Sequence, residues 1–342
     1  MKYKAYVGTY STRGSKGIYL VEADAKTGAL AILDSFPAVN PSYLATAERS
    51  RYGILFAALE CDEFEGVYGG GAASYAIKPD GSLSLLSTMP TKGTSPCHVC
   101  PSPDGRQLYV SNYGDGTLSV FQVKDGILSE ASLVAHSGHG PNEKRQSGPH
   151  VHSSQLEPGG GRLCVVDLGI DRAVFYNTAD MSEAGVFAVE GGSGPRHVVF
   201  SESLPFAWLV CEMGNEVYAF ERRSGRRTGI YSTLPNDFTG RSSSAAIKLS
   251  PDEKRLYVSN RGHNSIACFD IDRETGALSP PSIYPTGGKT PRDFAISPDN
   301  AFLYAAHQDS DNIRVFAIEK GALVDTGLSL DVPSPVCILI NS

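Results

Sequence analysis

Three stretches of the chain are near copies of one another: SPDGRQLYVSNYGDGTLSVFQV (Ser102–Val123), SPDEKRLYVSNRGHNSIACFDI (Ser250–Ile271) and SPDNAFLYAAHQDSDNIRVFAI (Ser297–Ile318). Each sets a Pro-Asp-led turn before a short apolar run, a polar loop and a second run, the pattern of antiparallel strands rather than helices. Looser copies begin at Glu157 (EPGGGRLCVVDLGIDRAVFYNT) and Ser201 (SESLPFAWLVCEMGNEVYAFER). Ahead of each copy another strand opens after a turn, at Pro41, Pro96, Pro149, Pro195, about Ser244, Pro291 and Pro335. These openings lie 44 to 55 residues apart, the length of one four-stranded propeller blade. Seven openings predict an all-β, seven-bladed β-propeller of four-stranded antiparallel blades, with residues 1–342 forming one domain.

The ends of the chain supply the closure. AYVGTY (Ala5–Tyr10) corresponds to a second strand and GIYLVEADAKTGAL (Gly17–Leu30) to a third, whereas SPVCILIN (Ser334–Asn341) is a first strand with nothing after it. One blade built from both termini would leave no open sheet edge in the ring.

Composition narrows the partner. A net charge of −7 over 342 residues, with no basic block, argues against a nucleic acid or an anionic membrane and favours a small molecule. The N-terminus MKYKAYVGTYSTRG lacks a signal-peptide pattern and no run of about 18 apolar residues occurs; a cytoplasmic protein, monomeric or weakly self-associating, is expected. The seven cysteines are an odd number and most sit in apolar strand-like runs, as packing residues rather than a disulfide framework. Cys97 and Cys100 form a C-x-x-C without a second pair at zinc spacing. GGKT (Gly287–Thr290) lacks the earlier glycine and the helix of a phosphate loop. No metal and no cofactor are expected.

In an antiparallel blade the loop into the first strand and the loop out of the second lie at one end, so their residues should ring one mouth of the central channel. Counting back six from each Pro-Asp-Gly-like turn gives Ser42, Cys97, His152, Arg196, Ala245, Arg292 and Val336. The ends of the second strands give Tyr10, Glu60, Tyr113, Leu168, Glu212, Arg261 and Gln308, with Thr9, Asn112, Asp167, Asn260 and His307 one residue earlier. Arg196, Arg261 and Arg292 would thus converge with His152, Glu60, Glu212 and Asp167. Planar guanidinium forks suit carboxylate or phosphate, and a histidine beside carboxylates can do acid–base work. Singly, such residues are ordinary loop charges or hydrogen-bonded structural histidines; their recurrence at equivalent positions of different blades argues for a site. The long segment HSGHGPNEKRQSGPHVH (His136–His152), which carries Arg145 and His150, has the length and position of a flap over that mouth.

GPNEKRQSGPHVHSS (Gly140–Ser154), GPRHVVF (Gly194–Phe200), CEMGNEV (Cys211–Val217) and SNRGHNSI (Ser259–Ile266) are the most specific pieces. On them the chain resembles, over nearly its whole length, the seven-bladed propeller lactonase family, which includes bacterial 6-phosphogluconolactonases and fungal carboxymuconate-lactonizing enzymes. The resemblance implies a catalytic set of His152, Arg196, Glu212 and Arg261, with Glu60, His150, Asp167, Arg292, His307, Gln308 and Arg145 as substrate-binding positions. It implies hydrolysis of 6-phospho-D-glucono-1,5-lactone, a small anionic lactone of the pentose phosphate route. A cycloisomerase or lactonase for another carboxylated substrate, and a non-catalytic propeller binding an acidic ligand or protein, are the alternatives. Blade five departs from the pattern with Ala245, which leaves the grip on the distal part of the substrate open.

Overall fold

The computed structural model describes residues 1–47 and 53–341. They form seven antiparallel sheets in a ring, six of four strands and one, blade two, whose outer edge is split into two short strands, Ile127–Leu128 and Ser132–Ala135; blades one to six each have their sequence-first strand innermost. Blade one opens with Pro41–Ala47, blade two with Pro96–Pro101, blade three with Val151–Leu156 and blade four with Pro195–Phe200. Blades five and six open with Ser243–Leu249 and Pro291–Ile296. Blade seven takes its innermost strand, Pro335–Asn341, from the C-terminus and its other three, beginning with Lys2–Thr9, from the N-terminus. The third blade opens two residues later than its Pro149 turn suggested; the other openings fall at or within one residue of their expected positions. Among the described residues no helix is long and apolar enough to cross a membrane.

Each sheet is covered on both faces, so its middle strands read as nearly continuous apolar runs such as FAWLVC (Phe206–Cys211). Seven hydrophobic clusters result, each shared by two neighbouring blades. Trp208, fully buried, belongs to the cluster between blades four and five, and its indole N–H donates to the Gly276 carbonyl at 3.0 Å, as a buried indole requires. The cluster between blades seven and one joins Tyr6 and Cys337, from opposite ends of the chain, to Leu44 and Leu55.

The repeated Ser-Pro-Asp has a local cause. Ser102 Oγ donates to Asp104 at 2.6 Å and accepts the backbone N–H groups of Arg106 and Gln107. Ser250 with Asp252 and Ser297 with Asp299 repeat the arrangement. The side chains thus reinforce turns that backbone bonds such as Gly105 N–H to the Ser102 carbonyl also close, and the backbone swings left-handed at Gly105 (φ 68°), Glu253 (51°) and Asn300 (57°).

Candidate active site

Every innermost strand carries a β-bulge at the same place. Pairing skips Ser42, Cys97, His152, Arg196, Arg292 and Val336, and in blade five both Ala245 and Ala246 fall between paired residues. A bulge adds one residue to a strand and re-aims its side chain. Ser42, Cys97, Arg196, Arg292 and Val336 accordingly line one chamber in the central channel, with Tyr43, His197 and Asp293.

The residue just before most opening prolines is left-handed: Asn40 (φ 42°), Ser95 (50°), Gly194 (61°), Thr290 (58°) and Ser334 (43°). This conformation is unusual ahead of proline, and it turns the carbonyl toward the end of the second strand. There it accepts the backbone N–H of Glu60, Tyr113, Glu212, Gln308 and Tyr10 in turn. Local backbone geometry therefore docks each mouth residue beside the bulge of its own blade.

Glu212 is the hub. One carboxylate oxygen, Oε1, accepts from Arg145 Nη2 at 2.7 Å. The other, Oε2, lies 2.7 Å from Arg261 Nη2, 3.2 Å from Arg196 Nε and 3.8 Å from His152 Nε2. Burial alone would raise the Glu212 pKa, but Arg261, Arg196, His152 and Arg145 together hold it far below the usual carboxylate range. His152 is buried, and burial with the nearby Arg196 charge pushes its pKa well below 6.5 against the opposing pull of Glu212. The pair is therefore a neutral imidazole facing a carboxylate at neutral pH, not a salt bridge. Arg196, 3% exposed, is further anchored by Nη1, which donates to the Ala245 carbonyl at 2.7 Å and lies 3.2 Å from His197 Nε2.

The segment from His136 to Pro149 is tied down. Gln146, fully buried, donates through Nε2 to the Leu168 carbonyl at 2.8 Å, and this fixes the neighbouring Arg145 over Glu212. Arg145 Nη2 also reaches the Tyr113 hydroxyl at 3.3 Å. His150 stacks on the Tyr113 ring at 4.6 Å and donates through Nδ1 to the Tyr113 carbonyl at 2.7 Å. Across the mouth, Arg292 lies over the Tyr10 ring at 5.4 Å, and the Tyr10 hydroxyl donates to Glu60 at 3.1 Å.

Two residues grouped with the mouth on sequence grounds sit elsewhere. The fully buried Asp167 accepts from His136 Nδ1 and from the backbone N–H groups of His150 and Gly169, each at 2.8 Å; its carboxylate is consumed in holding the loop. His307 is fully buried inside blade six, its ring so close to Gly288 that a Cβ there would lie 2.5 Å from it. Burial pushes its pKa down to about 4. Both precede a mouth residue by one position, and period-two alternation sends their side chains into the blade. Gln308 is at the rim, with Nε2 turned toward Asp309 at 3.4 Å.

A deeper layer escaped the sequence reading. Tyr43 and His98 lie 4.0 Å apart, His197 is 5.4 Å from His98 and 5.5 Å from His152, and Lys248 pairs with Asp293 at 3.0 Å. Tyr43, His98, His197 and Asp293 immediately follow bulged residues, so aligning one position further would have found them. Tyr113 occupies in SNYG the place of Arg261 in SNRG, a correspondence that marks it as a mouth residue. Among the described residues no group of three or more His, Cys, Asp or Glu side chains is placed to hold a metal ion.

The family model described as Lactonase, 7-bladed beta-propeller matches residues 4–340. A 6-phosphogluconolactonase of Bacillus subtilis is 36% identical over 353 aligned residues, covering 98% of each chain. Among solved structures, the periplasmic gluconolactonase of Pseudomonas aeruginosa superposes with a TM-score of 0.92 at 32% identity, covering 100% of this chain and 99% of that one. A Lactobacillus plantarum protein gives 0.91 at 34% identity with 100% of both covered. With the bulged ring and its Glu212 hub in place, these likenesses show that the chain belongs to the seven-bladed β-propeller lactonases, hydrolases of cyclic esters.

Proposed function

We propose that the chain opens a phosphorylated sugar lactone, 6-phospho-D-glucono-1,5-lactone, to 6-phosphogluconate. The observation that carries the anionic substrate is the charge balance at the mouth. Among the described residues, Arg145, Arg196, Arg261 and Arg292 face two carboxylates there, Glu60 and Glu212, an excess of positive charge in a chain of net −7. The Bacillus subtilis relative, named a 6-phosphogluconolactonase, supports the phosphorylated substrate over the unphosphorylated one.

In this reading His152 is the general base. The 3.8 Å between its Nε2 and Glu212 Oε2 is too long for a hydrogen bond but lets one water touch both. The water oxygen adds to the lactone carbonyl carbon as its proton passes to Nε2. Arg261 and Arg196 face the developing oxyanion. Collapse breaks the ring C–O bond, and Nε2 returns the proton to the leaving oxygen, giving the hydroxy acid. Glu212, ionised and held by three arginines, orients the water and balances their charge.

Acid release from freshly made phosphogluconolactone, followed in a pH-stat beside unphosphorylated gluconolactone, tests this. A rate well above spontaneous opening, with kcat/KM favouring the phosphorylated lactone, is expected. Equal kcat/KM for the two would remove the phosphate from the reading, and a rate no greater than background would remove the hydrolysis.

A further inference from the structure

Below the Glu212 hub, the chamber lined by Ser42, Tyr43, Cys97, Arg196, His197, Arg292, Asp293 and Val336 has polar groups that the reaction does not use. The Ser42 hydroxyl is buried and makes no hydrogen bond to the described residues. Arg196 Nε is likewise buried, and although it lies 3.2 Å from Glu212 its N–H makes no hydrogen bond. Arg292 forms neither an ion pair nor a hydrogen bond with the described residues; its guanidinium meets the Tyr10 ring. The one carboxylate in the wall, Asp293, is already matched by Lys248 at 3.0 Å and by the Ile338 backbone N–H at 2.9 Å.

Two guanidiniums and a hydroxyl thus meet in a small space where Arg196 shares Glu212 with Arg145 and Arg261 and Arg292 has no carboxylate in ion-pair contact among the described residues. Buried charges persist when paired and buried donors when hydrogen-bonded. The crowding is felt at Arg196, whose pKa is pushed down to about 10 by burial and by the Arg261 and Arg292 charges. The chamber has room for about one water-sized sphere. A halide ion is larger than that and enters with a small outward shift of the lining side chains, whereas sulfate or phosphate is much too large.

We propose that this chamber is a binding site for a monatomic anion, chloride in the ordinary case, held between Arg196 and Arg292 with the Ser42 hydroxyl as a further donor. The ion offsets the mutual repulsion of Arg196 and Arg292 and adds a partner for Arg292 at the floor of the mouth. It is separate from the substrate's own anionic group, which is too large for the chamber and engages the arginines from above.

The site is tested without substrate, so that failure here and failure of the hydrolase reading are distinguishable. Thermal unfolding is followed as sodium chloride or bromide replaces sodium methanesulfonate at constant ionic strength. The wild type should show a saturable rise in Tm with either halide. Ser42→Val, which fills the chamber with methyl groups, and Arg292→Gln should each weaken the apparent halide affinity at least tenfold. Crystals grown in bromide should give an anomalous peak between Arg196 and Arg292. A wild-type Tm indifferent to halide, a Ser42→Val protein that responds like wild type, or a bromide peak elsewhere in the channel would each overturn the proposal. Should Arg292→Gln fail to fold, Ser42→Val carries the test alone.

Discussion

His152 Nε2 faces Glu212 Oε2 across 3.8 Å, and the two groups are driven to opposite roles by what surrounds them. Arg261, Arg196 and Arg145 hold Glu212 as a firmly ionised, weakly basic carboxylate. Burial and Arg196 keep His152 neutral, so its lone pair is available. His152→Gln should lower kcat by about 100-fold or more with KM little changed. Because the His152 pKa is depressed, the wild-type rate should stay flat as pH falls through 6.5 and drop only below it. Glu212→Gln should lower kcat but keep that acidic limb; losing the limb in Glu212→Gln while His152→Gln stays active would make glutamate the base.

The arginines differ in burial, and their variants should separate accordingly. Arg145 has a side chain 44% exposed, against 4% for Arg196. Arg145→Ala should weaken an anionic ligand by about 1.5–3 kcal/mol with Tm close to wild type. Arg196→Ala disrupts a buried ion pair and should cost about 3 kcal/mol of stability besides affinity. Calorimetric unfolding and product-inhibition constants on the two proteins check both. Equal destabilisation by the two substitutions would contradict the burial argument.

Acid should destabilise the fold early. His98 is pushed down to about 3 by burial and the Arg196 and Lys248 charges, His307 to about 4 by burial, and His152 and His197 well below 6.5. Below pH 6.5 the unfolded chain takes up protons that these folded histidines refuse. Stability from each is therefore present above 6.5 and is lost, at about 1.4 kcal/mol per pH unit, as pH falls toward its folded pKa. Urea midpoints should hold level from pH 7.5 to about 6.5 and fall steadily from there to pH 5, before most carboxylates titrate. A His98→Asn, His307→Asn double variant should show a shallower slope.

Closure of the ring predicts a large effect from a short truncation. Pro335–Asn341 pairs with Lys2–Thr9, and Val336, Cys337 and Ile338 are buried. A chain ending at Asp331 loses the innermost strand of blade seven, which bares the Lys2–Thr9 edge. It should show no cooperative transition near the wild-type Tm and should self-associate in size-exclusion chromatography. A monodisperse protein with an unchanged Tm would refute the closure.

The repeat carried most of the fold. Ser-Pro-Asp turns, apolar runs covered on both sides and a fixed spacing are local features, legible without any contact between blades, and they determined seven four-stranded blades and the blade shared by the termini. Counting positions also found the bulged residues, because blades two to six each place the bulge at the same distance from the turn that follows. What only the tertiary structure decided was direction and pairing. His307 and Gln308 differ by one position in sequence but point to opposite sides of a strand; the histidine is buried in its blade and the glutamine belongs to the rim. Nor does the chain order of Arg145, His152, Arg196, Glu212 and Arg261 indicate that one carboxylate gathers three guanidiniums, since those groups come from three blades and the loop from His136. That meeting exists only once the ring has closed, and it sets which group stays charged and which stays neutral.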